Sequence, residues 1–168
     1  MESRSILCSL VLVSAPLMAF AELPREPVLP LALAQKAALA AVQQCERDGY
    51  RVSASVVDKS GVVRAQLRAD GAGAHTLQSS FRKAYTSASL REPTSKLAKI
   101  AASSAELQGL HHVSDDILLL GGGLPIVIGG EAVGGIGVGG APGAQLDEAC
   151  AQAGLQSILD AAGSKPAL

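Results

Sequence analysis

Residues 121–143 read GGGLPIVIGGEAVGGIGVGGAPG, and this stretch decides the fold. It contains two apolar runs, 125–128 and 132–138, joined by the short polar and glycine-rich segment 129–131. Because glycine supplies the positive φ angles of tight turns, the pattern predicts an antiparallel β-hairpin. Glycines inside the second run carry no side chain, which predicts close approach by another backbone, a helix or a flat ligand at Gly134, Gly135 and Gly137.

The residues upstream of this hairpin predict a helix, a second hairpin and a longer helix. Residues 31–47 carry apolar side chains at helical spacing, and Asp48 with Gly49 provides a stop. Alternating apolar and polar residues on both sides of the turn at 58–61 predict two paired strands. After the glycine-rich loop 69–74, Thr76 is expected to cap a helix that runs to about Arg91, with Arg82 and Lys83 outside its apolar stripe.

The remaining elements complete the predicted fold class. A short helix follows Pro93, residues 111–116 form a polar connector, residues 117–120 form a brief strand, and residues 146–161 form a closing helix. Strands that are joined by tight turns must be antiparallel. We therefore predict an α/β (α+β) domain with an antiparallel five-stranded sheet flanked by helices, in a profilin-like layered arrangement, with the first and last helices on one face.

The N-terminus has the features of a secretory signal peptide. An apolar run from Ile6 to Phe20 precedes small residues at positions 19 and 21, and it is short for a membrane span. We predict a signal peptide at 1–21, a proline-rich leader at 22–30, one domain at 31–163 and a tail at 164–168. The expected location is periplasmic or secreted, without a membrane span after cleavage; a retained N-terminal anchor is the alternative.

Composition excludes several partners and leaves the cysteines open. The net charge is −1 and aromatic residues make up 2% of the chain, so neither a nucleic-acid-binding surface nor a polybasic membrane patch is expected. Cleavage of the signal would leave Cys45 and Cys150, each in an apolar helical stripe. They are either small buried hydrophobic residues or partners in a disulfide between the first and last helices, and a secreted context favours the disulfide.

Two sequence motifs are rejected as chemical sites. Residues 135–140 match G-x-G-x-x-G, but the chain ends too soon after the last helix to supply the second parallel strand of a dinucleotide-binding fold. Residues 80–83 match S-x-x-K of penicillin-recognising enzymes, but the companion motifs are missing. A glycine-rich strand end and a helix surface are the simpler interpretations.

Histidines provide the remaining candidate ligands. His111 and His112 precede two aspartates in one connector and are weak candidates for a metal site, since a solvated polar loop explains them as well. His75 lies at the entrance to a helix and is either an exposed residue or an axial ligand to haem iron. In the second interpretation, basic side chains near it would pair with the haem propionates: Arg68, Arg82 and Lys83.

Several motifs together resemble the GlcG/HbpS-type family of haem-binding proteins across nearly the whole mature chain. They occur in family order as VVD-x-x-G at 56–61, RKAYTS at 82–87, PTS-x-L at 93–97, GGGLPI at 121–126, G-x-x-VG-x-IGVGG at 130–140 and D-x-x-CA-x-AGL at 147–155. The resemblance implies an antiparallel sheet with flanking helices, assembly into homo-oligomers, and haem as the cofactor. Iron ligands are not uniform in the family, so His75 stays a candidate.

The sequence therefore predicts a periplasmic haem- or tetrapyrrole-binding protein that acts in haem storage, sensing or delivery. No acid–base pair or nucleophile supports turnover, so an enzyme is not favoured. Two alternatives stay open: a haem-dependent peroxidase or haem-degrading enzyme, and a haem-free oligomeric scaffold. In this interpretation the hairpin glycines let helices or a neighbouring subunit pack closely, while the His75 loop holds the iron.

Overall fold

A computed structural model describes Leu23 and residues 25–163. The predicted signal peptide at 1–21, two leader residues and the predicted tail at 164–168 lie outside the described residues. Within the described part, no helix is long and apolar enough to cross a membrane. The elements in chain order are α1 Leu31–Arg47, β1 Ser53–Asp58, β2 Val63–Arg68, α2 His75–Leu90, α3 Thr94–Ser103, a 3-10 helix Glu106–His112, β3 Gly123–Ile128, β4 Glu131–Gly139 and α4 Ala144–Gly163.

One antiparallel sheet forms the centre of the domain, with the strand order β2-β1-β4-β3. β1 pairs with both β2 and β4, and β3 pairs only with β4 in this sheet. The predicted α/β class, with an antiparallel sheet flanked by helices, is confirmed. The predicted count of five strands is wrong, because the sheet has four.

The missing fifth strand is the segment 117–120, which is an irregular connection. Side chains from the neighbouring helices satisfy its backbone groups: Arg82 Nη2 donates to the Ile117 carbonyl at 2.6 Å, and the Leu118 amide donates to Thr86 Oγ1 at 2.8 Å. Thr94 Oγ1 donates to the Leu120 carbonyl at 2.8 Å. Since these three groups bind side chains, they are not available to a neighbouring strand.

The hairpin of β3 and β4 has a tighter turn than predicted. Ile128 pairs with Glu131, so Glu131 is the first residue of β4 and only Gly129 and Gly130 form the turn. Their φ angles are 62° and 84°. Positive φ at both central residues is the requirement of a type I′ turn, whose twist matches that of the paired strands.

The two faces of the sheet are covered by different helices. α1 and α4 pack on the face formed by alternate residues of β1 and β4, among them Val56, Ile136 and Val138, in the main hydrophobic core. α2 packs on the opposite face, where the strands present glycines. A Cβ atom at Gly137 would overlap the Ser80 carbonyl oxygen, so the backbone of α2 lies directly against the strand.

A disulfide joins the two helices of the apolar face. Cys45 in α1 and Cys150 in α4 are bonded, with their Cα atoms 5.5 Å apart, and both side chains are fully buried. This is the second of the two arrangements that the sequence left open. The bond links α1 to α4, the first and last helices, which the sequence predicted to lie on the same face of the sheet.

Candidate functional site

His75 is the first residue of α2 and its side chain is exposed. The loop before it leaves space for the imidazole, because a Cβ atom at Gly73 would lie 2.6 Å from His75 Cε1. Thr76 does not cap the helix, contrary to the prediction. Its buried Oγ1 donates to the Gly73 carbonyl at 2.7 Å and is hydrogen-bonded to Ser53 Oγ at 2.7 Å, which fixes the start of α2 against β1.

Two arginines hold the loop that precedes His75. Arg68, the last residue of β2, donates from Nε to the Ala72 carbonyl at 2.9 Å and from Nη2 to the same oxygen. Arg51 Nη1 donates to the Asp70 carbonyl at 3.1 Å. Because both guanidinium groups bind loop carbonyls, they position the backbone beside the imidazole and place positive charge close to it.

Arg82 and Lys83 are not part of this surface. Arg82 is partly buried and its Nη2 binds the Ile117 carbonyl on the connection to β3. Lys83 is 1% exposed, so the expectation that it lies outside the buried stripe of α2 is wrong. The structure thus keeps His75 and Arg68 on one loop and directs the other two basic side chains into the domain.

Lys83 forms a buried ion pair that sequence reasoning missed. Its Nζ donates to Asp147 Oδ2 at 2.7 Å and to the Val138 carbonyl at 3.0 Å, while the Ala141 amide donates to Asp147 Oδ1 at 2.9 Å. Burial raises the pKa of Asp147 above its ordinary value of 3.8, and the hydrogen bond and charge of Lys83 oppose that rise. The pair connects α2, β4 and α4 in the interior.

His111 and His112, the first two residues of the predicted polar connector, are the last two residues of the 3-10 helix, and both are exposed. They line a groove of about 460 Å³ against three alanines of α3, namely Ala98, Ala101 and Ala102. Over the described residues, no group of three or more histidine, cysteine, aspartate or glutamate side chains is arranged to hold a metal ion. The described residues therefore do not bring these histidines together with Asp115 and Asp116, which the sequence made only weak candidates for a metal site.

Comparisons with known proteins place this geometry in context. A model of the HbpS-like family, whose members are described as haem degrading proteins, matches residues 29–156. An uncharacterized 15.0 kDa protein from the dhaT-dhaS intergenic region of Citrobacter freundii is 34% identical over 113 residues, which are 67% of this chain and 80% of that protein.

Solved structures share the fold. A double mutant of HbpS from Streptomyces reticuli is 43% identical, with a TM-score of 0.76 over 86% of this chain and 97% of that one. The protein ORFY from Klebsiella pneumoniae is 26% identical, with a TM-score of 0.76 over 88% and 100% of the two chains. PduOC, solved as a haem complex, is 24% identical with a TM-score of 0.73 over 78% and 95% of the chains, a likeness that shows the fold alone.

Proposed function

The chain belongs to the HbpS-like family, and on that premise we propose that it binds haem or a related planar tetrapyrrole and acts in haem storage, sensing or delivery. The family match carries the proposal, because residues 29–156 include the whole sheet and most of the helices that flank it. The domain of PduOC, which has the same fold, was crystallised with haem. The finer assignment of residues rests on the surface around His75.

The imidazole of His75 fits the role of an iron ligand. Among the residues that the structure describes, no hydrogen bond holds this exposed side chain, so a ring nitrogen is available to a metal. Histidine is a common axial ligand of haem iron. The bound haem would supply the redox and ligand-binding chemistry of its iron, and the chain would supply the ligand and its orientation.

Arg68 fits the role of a partner for a haem propionate. Its Nε and Nη2 bind the Ala72 carbonyl, which leaves the N–H groups of Nη1 for another acceptor. A guanidinium held by the loop in this way keeps its orientation when a carboxylate approaches. Lys83 is paired with Asp147 in the interior, and Arg82 binds the Ile117 carbonyl, so neither supports the proposed site as Arg68 does.

A second copy of the chain would complete the site. Four grooves among the described residues are lined by residues other than His75, and its exposed side chain lies on an open surface of the single chain. β2, which ends at Arg68, is an edge strand and exposes Val63 and Leu67 at 44% and 37%. Exposed strand edges readily pair with another chain, and we propose a homo-oligomer in which the neighbouring subunit covers the haem.

The groove beside His111 and His112 is the alternative position for haem. Three alanines of α3 form an apolar wall, and the volume of about 460 Å³ lies in the range of small-molecule sites. This position offers two imidazoles and no arginine in the groove lining. We prefer His75 because its loop also carries Arg68.

Addition of haemin to the purified protein, followed by absorption spectroscopy, tests the proposal. We expect a saturable shift of the Soret band, and His75→Ala should weaken binding by at least about tenfold because it removes the iron ligand. Arg68→Gln should have a smaller effect. His112→Ala is the matched control, since it removes an exposed imidazole from another surface.

The possible results separate the proposal from its alternatives. If the Soret shift persists in His75→Ala and disappears in the double variant of His111→Ala and His112→Ala, the haem site is the groove beside α3. If haemin causes no saturable shift in the unaltered protein, the haem proposal is wrong and a haem-free oligomeric scaffold is favoured.

An enzymatic role is the second functional candidate, since the family description names haem degradation. In that case the haem iron supplies the reactivity and the protein supplies the pocket. The loaded protein should then consume peroxide, or degrade its haem, faster than an equal concentration of free haemin. Loss of this activity in His75→Ala would favour the enzyme over a storage, sensing or delivery protein.

The proposed location is the periplasm or the exterior. The disulfide between Cys45 and Cys150 supports it, because such bonds persist mainly in oxidising compartments. Expression of the full chain followed by cell fractionation and mass spectrometry tests this proposal. We expect a soluble extracytoplasmic protein that begins at Glu22, whereas a full-length protein in the cytoplasm would contradict it.

A further inference from the structure

A groove away from His75 lies between the start of α3 and the first turns of α4. Its volume is about 640 Å³, which is within the range of small-molecule sites. Leu120 and Gly121 line it together with residues of both helices, including Ser95, Lys99, Ala144 and Glu148. None of these residues takes part in the haem site proposed above.

Glu148 brings an unpaired acceptor into this groove. Its Oε2 atom is buried and has no hydrogen-bond partner among the residues that the structure describes. The neighbouring Asp147 points to Lys83, so the buried ammonium of the domain is already paired with another carboxylate. A buried carboxylate oxygen without a partner is costly, and rotation of the Glu148 carboxylate toward a ligand with an N–H donor in the groove would remove that cost.

Small residues make the space beside this oxygen. A Cβ atom at Gly121 would lie 3.4 Å from Glu148 Oε2 and 3.2 Å from the Cβ atoms of Ser95 and Ala144. Gly121 therefore packs against the carboxylate and against both helices, and it forms a wall of the groove without a side chain. A methyl group there would press on Ser95 and Ala144 and shift the helices that form the groove.

The groove also has a positive group and an apolar surface. Lys99 on α3 supplies an ammonium, and Ala98, Leu120 and Ala149 supply apolar contacts. A purely cationic ligand would be attracted by Glu148 and repelled by Lys99. A ligand with an amine at one end and a carboxylate at the other would be attracted by both.

We propose that the groove between α3 and α4 binds a small aminocarboxylate, with its ammonium hydrogen-bonded to Glu148 and its carboxylate directed to Lys99. The apolar body of the ligand would lie along the alanines and Leu120. This site is separate from haem binding and does not depend on it.

Three probes with the same six-carbon body test the proposal: 6-aminohexanoate, hexylamine and hexanoate. Binding is followed by isotope-labelled NMR, with the amide signals of Gly121 and Ala144 reporting on the groove. We expect saturable shifts with 6-aminohexanoate at concentrations up to about 10 mM, and weaker binding of the two single-charge probes. No saturable shift with any probe, or equal binding of all three, would overturn the proposal.

Variants identify the groups that bind. Glu148→Gln should weaken the binding of 6-aminohexanoate and hexylamine by about tenfold, because it removes the charge that faces the amine. The affinity for hexanoate should stay unchanged. Gly121→Ala should abolish binding of all three. Glu106→Gln, which removes an exposed carboxylate elsewhere, is the control. An unchanged affinity for 6-aminohexanoate in Glu148→Gln would refute the assignment.

Haemin titration separates this site from the proposed function. Glu148→Gln and Gly121→Ala should bind haemin as the unaltered protein does, and His75→Ala should bind 6-aminohexanoate normally. Circular dichroism spectra of each variant, recorded before these titrations, show whether the variant is folded.

Discussion

The two faces of the sheet are packed by opposite means. On the face toward α1 and α4, Ala54 and Val56 of β1 and the preceding Val52 contact an apolar core that contains a disulfide. On the face toward α2, β1 presents Ser53 and Ser55, and the paired residues of β4 are glycines. One strand thus serves an apolar interface with one set of alternate residues. With the other set it serves an interface that is polar at Ser53 and Ser55 and apolar only at Val57, which packs on Ala84 of α2.

The polar face is ordered by hydrogen bonds between buried hydroxyl groups. Ser53 Oγ is bonded to Thr76 Oγ1 and Ser55 Oγ to Ser80 Oγ, each at 2.7 Å. Gln66 Nε2 on β2 also donates to Ser55 Oγ at 2.8 Å. These bonds are directional, whereas apolar contacts are not, so this face fixes the position of α2 along the strands.

The difference bears on function because α2 begins with His75. Apolar packing tolerates changes of side chain if volume is conserved. Contact between the α2 backbone and the glycines of β4 has no such tolerance, since any Cβ atom would occupy the place of the helix. The face that positions the candidate haem ligand is thus the one with the stricter geometry.

The largest expected effect is on the glycine face. Gly137→Ala should lower the free energy of unfolding by about 5 kcal/mol or more, because the new Cβ atom would overlap the Ser80 carbonyl oxygen and force α2 away from β4. Urea unfolding followed by circular dichroism measures the change. Gly109→Ala is the matched control, since a Cβ atom there meets nothing within 4 Å. A loss below about 1 kcal/mol in Gly137→Ala would show that the helix can move without cost.

The buried ion pair at the end of this face should give the next largest effect. Lys83→Met should cost about 3–5 kcal/mol, because it leaves Asp147 as an unpaired buried carboxylate. The double variant Lys83→Met with Asp147→Asn should recover much of that loss, since it removes both charges and keeps an acceptor for the Ala141 amide. Equal stability of the single and double variants in chemical unfolding would contradict a coupled pair.

The smallest effect on stability is expected on the apolar face, when the disulfide between α1 and α4 is removed. Replacing Cys45 and Cys150 together by alanine should cost about 2–5 kcal/mol, because the bond closes a loop with a sequence separation of 105 residues. Thermal unfolding with and without a thiol reductant measures this contribution. The reductant should destabilise the unaltered protein and leave the double variant unchanged; equal sensitivity of the two proteins would show that the bond is not formed.

Local patterns were sufficient to predict most elements of the fold. The bounds of α1 and the two hairpins follow from residue spacing and turn glycines, which act over a few positions. The segment 117–120 could not be classified in the same way, because an apolar run of this length is common to strands and connections. Its conformation depends on Arg82, Thr86 and Thr94, which reach it from other elements.

The candidate sites were less predictable than the fold. The position of His75 beside a glycine-rich loop is local, and the sequence indicated it. The burial of Lys83 does not depend on neighbouring residues in the sequence, because its partner Asp147 is 64 residues away in the chain. The groove at Glu148 could not be inferred either, since it is formed where two helices and Gly121 meet, and no spacing along the chain marks that meeting.

The disulfide also closes a covalent ring in the chain, and the residues before Cys45 and after Cys150 extend from it. The ring runs from Cys45 to Cys150 and contains all four strands, α2, α3 and the His75 loop. A protease that cuts one exposed loop inside the ring would therefore open it without releasing a fragment. The cut protein would keep its mass on a non-reducing gel and separate into two pieces only after reduction.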